Sequence, residues 1–421
     1  MTFDRLRSRA KARAGVAALC TIVLGAAVVS MRAAGAPSPV SALDTPTGAG
    51  SNTYAMATGA DGRAYLVWIE PTQPTGHHAL RFSRFDGQAW QAPREIARGN
   101  NWFVNWADHP SLTALPDGTL VAHWLVNTGR KQGSYGYGIR VARSTDEGAT
   151  WTTVFEDGMK NVSDYAGFLT FAPREGGADA IYLNPLKPDE DAPAGGHEVE
   201  HVKTLAAVSF GTDGSVKGQQ VVDADVCSCC MTDIAHTSSG PVAVYRDHQP
   251  GEIRDIAIVR RVNGRWTEPK TVHADGWMIP GCPTNGPAVA ARDQRVAVAW
   301  FTAANDTPRL EMAFSEDGGA TFGDPVVIDA GRPVGWPDVV MLEDGATLVS
   351  WLERRGEGVG EVLVRRVSPG RAPGPPLVVA QSVSGRATGV PHMARVGDRV
   401  LVAWRKERVL TASAPIAAIV P

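Results

Sequence analysis

Of the five cysteines in this chain, four fall in two short stretches, Cys227-Ser-Cys229-Cys230 and Cys282. Sulfur at that density has three uses: thiolates bind a soft metal such as Cu or Zn, thiols pair as disulfides, or neighbouring thiols cycle between redox states. The pattern C-x-C-C departs from the paired C-x-x-C spacing of common zinc sites. Two disulfides, one of them through Cys282, are therefore the ordinary expectation, with Cu or Zn assisted by Met231 or His236 as the alternative. A bond between adjacent Cys229 and Cys230 would close a strained ring.

A second concentration of reactive groups is Tyr245-Arg246-Asp247-His248-Gln-Pro-Gly-Glu252-Ile-Arg254-Asp255. Guanidinium groups clamp anions through paired hydrogen bonds, so Arg246 and Arg254, joined by Arg405, form a candidate carboxylate-binding set. Glu252 or Asp247 beside Tyr245 or Tyr165 would then supply acid, base or nucleophile. A structural salt-bridge network accounts for the same residues equally well.

These groups are carried on a repeat. An alternating apolar strand ending in an aromatic residue recurs at Trp68, Trp124, Tyr182, Tyr245, Trp300, Trp351 and Trp404, at spacings of 56, 58, 63, 55, 51 and 53 residues. Each copy is preceded by a turn and another short apolar strand, and is followed by two more strands. Such a meander cannot bury both faces alone, so the units must stack, and radial stacking gives an all-β propeller of four-stranded blades. The repeat count gives seven blades, with six as the alternative if the short last copy completes the first. Residues 37–50 are expected to act as linker and closing strand, and 51–417 as the propeller.

Two segments share the pattern S-x-D-x-G-x-T-[W/F]: Ser144, Asp146, Gly148 and Trp151 in one, Ser315, Asp317, Gly319 and Phe322 in the other, with the aspartates 171 residues apart. They resemble the Asp box of bacterial neuraminidase repeats, and the chain is similar to the sialidase superfamily through these boxes and its repeats. The motif's physical role is a hairpin in which Asp accepts backbone N–H groups and Gly takes a positive φ, so the boxes are expected to be structural. The resemblance implies an exported exo-alpha-sialidase-type glycoside hydrolase acting on terminal acidic sugars, with an arginine triad, a tyrosine nucleophile and an aspartate acid/base. The Arg-Ile-Pro triplet of that family is absent, and the matching strand reads Asn52-Thr-Tyr54-Ala-Met56. A non-catalytic propeller binding a ligand, a partner or a soft metal at the cysteines is the competing expectation.

In a propeller the starts of the inner strands and the ends of the second strands meet on one face. The starts contribute Trp106, Asp108, His109, Trp336, Asp338 and His392 as expected ligand-binding residues, with Asp164, Tyr165 and Asn285 beside them. The second-strand ends add Glu70, Asn127, Glu353, Arg354 and Lys406. Mixed acidic, basic and aromatic groups suit a glycan or another small polar ligand.

With 41 Lys+Arg against 44 Asp+Glu the formal net charge is −3, which argues against a nucleic-acid partner. Arg5, Arg7, Arg9, Lys11 and Arg13 precede an apolar run from Ala14 to Ser30. Residues 1–36 therefore read as an export signal or an uncleaved N-terminal anchor. The expected location is periplasmic or secreted, with membrane contact only through that segment, and a monomer is expected.

Overall fold

The computed structural model describes residues 38–129, 135–160, 164–185 and 202–420. The segment read as an export signal lies outside the described residues. No helix among the described residues is long and apolar enough to cross a membrane.

Seven antiparallel sheets follow one another along the chain. The first blade runs through Tyr54–Thr58, Ala64–Thr72, His77–Phe85 and Arg94–Gly99, each strand paired with the next. The same up-and-down order repeats to the seventh blade, and the fourth has its outer edge divided between Arg265–Trp266 and Lys270–Thr271. Innermost strands pack against those of the blades before and after, and the last packs against the first, which closes the ring. The molecule is a seven-bladed β-propeller.

The seventh blade takes its outer strand from the other end of the chain: Ser41, Ala42 and Leu43 pair with Ser413, Ala412 and Thr411. Thr45 and Thr47 reinforce the closure through Thr411 and the Val409 carbonyl, both at 2.7 Å. This pairing completes the fourth strand of the last blade and closes the ring, leaving only short outer edges.

The repeating aromatic residues form the core between blades, and Trp68, Trp300, Trp351, Tyr182 and Tyr245 are fully buried. Their polar tips end on carboxylates. Trp68 Nε1 donates to Glu70 and Trp351 Nε1 to Glu353, each at 2.7 Å, while Trp300 Nε1 donates to Asp275 at 2.8 Å. In the first two, spacing of two along a strand puts both side chains on one face. Tyr182 and Tyr245 instead reach Asp157 and Asp223 on the outer strand of the preceding blade, each at 2.5 Å. A buried indole N–H or phenol left without an acceptor is costly, so these pairs belong to the core.

Both Asp boxes sit at the turn between the third and fourth strands of their blades. Thr150 donates its N–H and hydroxyl to Asp146 at 2.9 and 2.6 Å, and Thr321 does the same to Asp317. Ser144 and Ser315 accept the N–H of Gly148 and Gly319. Gly148 has φ +85°, and a Cβ there would lie 2.4 Å from Phe82, so only glycine fits. Trp151 meets Phe82 edge-to-face at 6.0 Å, which pins the turn to the first blade, and Phe322 packs into the core between the fourth and fifth blades.

Candidate functional site

The innermost strands of all seven blades line a central cavity of about 440 Å³. Among the described residues its titratable wall consists of Asp108, Asp233, Asp338, His109 and His392, and no described lysine or arginine lines it. Asp233 and His392 begin their inner strands, Asp108 and His109 lie just before Ser111–Ala114, and Asp338 lies within Pro333–Met341.

The acids also join neighbouring blades. Asp108, at the start of the second blade, accepts the Phe168 N–H of the third at 2.8 Å and the Tyr137 hydroxyl at 3.0 Å. Asp233 accepts the Val289 N–H at 2.8 Å, Asn285 the Trp336 N–H at 2.9 Å, and Asp338 the Met393 N–H at 2.5 Å. Burial raises all three aspartates to about 7, against the backbone donors that favour their ionised forms. Asp233 and Asp338 keep some accessible surface because one side of each faces the cavity.

Two imidazoles complete the wall. His109 and His392 meet edge-to-face at 4.7 Å, and Tyr54 packs on His392 at 5.6 Å. Burial pulls His109 down to about 4 and His392 well below the ordinary histidine value, so both rings are neutral at physiological pH. His109 Nδ1 and His392 Nε2 are buried without a protein hydrogen-bond partner. Beside them Trp106 meets Trp336 at 4.9 Å, and the Arg386 guanidinium lies 5.5 Å above the Trp106 ring.

The patch Tyr245 to Asp255 is organised differently from a sugar clamp. Arg246 is fully buried and donates to the carbonyls of Asn285 at 2.9 and 3.0 Å, Phe301 at 2.7 Å and Arg254 at 2.5 Å. Its guanidinium also lies 4.7 Å over the Trp277 ring. Arg254, equally buried, donates to Glu252 at 2.7 Å, and that ion pair holds Glu252 below the usual carboxylate range. Asp247 accepts from Gln249 at 3.0 Å and is raised by burial. Asp255 holds the Gly276 and Trp277 N–H groups. Tyr245 points to Asp223, and burial raises its phenol far above the ordinary value. Arg405 belongs to the seventh blade, whereas Arg246 ends a strand of the fourth. The three arginines thus do not share a pocket, and none of them lines the cavity. Glu70 and Glu353 hold tryptophans, as described, while Arg354 and Lys406 are exposed.

The cysteines do gather. The Sγ atoms of Cys227, Cys229 and Cys230 lie within 4.8 Å of one another. Cys229 is bonded to Cys282, which ties the loop entering the fourth blade to the loop entering the fifth. In place of a second disulfide, Cys227 and Cys230 are free, buried thiols with sulfurs 3.0 Å apart. The Cys230 hydrogen bond pulls Cys227 down to about 6 against the opposing effect of burial, helped by the Cys229 backbone and by Arg246 and Arg254. Cys230 is pushed well up by burial and by the sulfur beside it.

Sequence reading missed Asp233 and the inter-blade role of the cavity acids. A signal existed: Asp233 and Asn285 occupy the same column of Cys230-Met-Thr-Asp and Cys282-Pro-Thr-Asn.

No known family model matches the chain, and no curated protein matches it. Among solved structures it is similar to the alpha-L-arabinofuranosidase of Fusarium graminearum, at 13% identity and TM-score 0.49, over 90% of this chain and 99% of that one. The alpha-L-arabinanase of Penicillium chrysogenum gives 12% identity and TM-score 0.45, over 91% and 98%. The Trypanosoma rangeli sialidase gives 12% identity and TM-score 0.48, over 79% and 56%.

Proposed function

We propose that this propeller binds a neutral, polyhydroxylated ligand of saccharide size in its central cavity. The carrying observation is the wall itself: two neutral imidazoles with buried, unpartnered nitrogens stand beside Trp336 and three carboxyl groups, with no cation. Hydroxyl groups can both donate to and accept from such a wall, and an indole face packs against the C–H face of a sugar ring. An acidic sugar would bring its carboxylate to three carboxyl groups without a guanidinium to receive it, so terminal sialic acid is the poorer fit. Of the arginines expected to form the clamp, Arg246 already binds backbone carbonyls of the fifth blade and Arg254 already binds Glu252.

This reading keeps export through residues 1–36 and treats 51–417 as one monomeric propeller. The test is a tryptophan-fluorescence titration with neutral oligosaccharides and, separately, sialyllactose, on the wild type and a His392→Ala variant. Saturable quenching by a neutral sugar, weakened about tenfold in the variant, supports the reading. Binding or cleavage of sialyllactose in preference to every neutral sugar overturns it. Release of nitrophenol from neutral aryl glycosides would add hydrolysis to the binding role.

A further inference from the structure

The cysteine corner lies outside the cavity wall, and the ligand reading makes no use of it. Its two free thiols are fully buried, with sulfurs 3.0 Å apart. That separation is longer than the disulfide bond length of about 2.0 Å and short enough for one proton to lie between the two atoms. The third sulfur of the group is occupied in the Cys229–Cys282 bridge. Cys227 and Cys230 are thus a C-x-x-C pair whose middle cysteine is committed elsewhere.

The charge around the pair is informative. Arg246 is fully buried, yet its hydrogen bonds all go to neutral carbonyls, and among the described residues it has no carboxylate partner. A buried cation without an anion is expensive. The backbones of this arginine and the first thiol are neighbours, because the Cys227 N–H donates to the Arg246 carbonyl at 3.0 Å. A pair of thiolates holding one monovalent cation, whether a proton or a metal ion, carries a single negative charge, which would offset the buried guanidinium. A disulfide carries none and would leave the guanidinium unbalanced.

We propose that Cys227 and Cys230 form a site for one soft monovalent d10 cation, copper(I), which takes the place of the shared proton. The exchange conserves charge: copper enters with one positive charge, one proton leaves, and the bis-thiolate complex keeps the single negative charge opposite Arg246. No electron is transferred. Soft thiolates select copper(I), and zinc would require a fuller set of ligands than two sulfurs. Two metal–sulfur bonds of about 2.3 Å in a linear arrangement need the sulfurs to move apart by roughly 1.6 Å from their present 3.0 Å. Tyr165 fixes the loop between the thiols through a hydrogen bond from its hydroxyl to the Ser228 carbonyl. Met231, next in the chain, lines the cavity and gives its wall a soft thioether adjacent to the site.

The test is anaerobic titration of the purified chain, carrying Cys20→Ser so that only the four clustered cysteines are counted, with copper(I) against a chromophoric copper(I) chelator, preceded by a thiol count without reductant. The expected results are two free thiols, one copper bound with one proton released, and a sulfur-to-copper charge-transfer band. Cys227→Ser and Cys230→Ser should each lower the affinity by about a hundredfold or more. Arg246→Gln should lower it about tenfold, and Arg246→Lys should restore it. Replacing both bridge cysteines, Cys229→Ser with Cys282→Ser, removes the bridge without adding a third thiol beside the pair and should keep the copper, which separates loss of the site from loss of the fold. Near-ultraviolet circular dichroism on each variant reports that the propeller is intact. The proposal is overturned if the count finds no free thiol, if the wild type takes no copper from the chelator, or if folded Cys227→Ser and Cys230→Ser bind it as tightly as the wild type.

Discussion

Two sets of aspartates in this propeller accept backbone N–H groups and are driven in opposite directions. Asp146, at an open hairpin turn, is pulled down to about 2 by the Thr150 hydroxyl and N–H and by Ser144. Asp317 reaches about 2 through Thr321 and Ser315, although its slight burial opposes them. Asp108, Asp233 and Asp338 around the cavity rise to about 7 because burial outweighs the same kind of donor. Hydrogen bonds to a carboxylate lower its pKa in both settings, and the net direction is set by whether burial outweighs them. The acids named by the recognisable motif are therefore fixed anions with a structural task. Those with no motif change charge near neutrality.

The comparison is broken most severely by removing a cavity acid outright. Asp108→Ala leaves the Phe168 N–H and the Tyr137 hydroxyl unpaired in the interior and should cost about 3 kcal/mol. Chemical denaturation measures it, and Asp108→Asn, which keeps the acceptor, should lose far less.

Next in size is Gly148→Ala, which forces a side chain into a positive-φ position against Phe82 and should cost about 2 kcal/mol. Gly62→Ala has a similar φ of +75° but open space around it, so it isolates the backbone part of that loss.

The pH dependence sharpens the contrast. The native state holds the protons of the cavity acids to higher pH than the unfolded chain does. Their contribution is greatest below the ordinary carboxyl value and is lost as pH rises towards about 7. The melting temperature should fall between about pH 4 and pH 7, and Asp233→Asn with Asp338→Asn should flatten that slope. The smallest effect belongs to the Asp boxes, whose contribution is present above the ordinary value and is lost only as pH falls through about 2. Asp317→Asn should leave the slope between about pH 4 and pH 7 unchanged in the same melting series.

The apolar alternation, the aromatic residues at regular spacing and the two Asp boxes determined a great deal by themselves. Four-stranded meanders and the structural task of Asp146 and Asp317 are local properties, set by period-two burial and by turn chemistry within eight residues, whereas the choice of seven blades over six was made by the pairing of Ser41–Leu43 with the last strand. Side-chain partners across blades were decided only by the tertiary structure. Tyr245 and Arg246 are adjacent in a stretch dense with charge, yet one turns to Asp223 in the blade before and the other to Asn285 and Phe301 in the blade after. Composition marked that stretch as reactive, but the ring closed over it and satisfied it with backbone carbonyls. The cysteines show the same division. Their spacing told that sulfur would gather, and the packing of the fourth blade against the fifth decided which pair bonds and which pair stays free beside a buried arginine. Burial and partner geometry are properties of the closed ring, and no stretch of sequence encodes them alone.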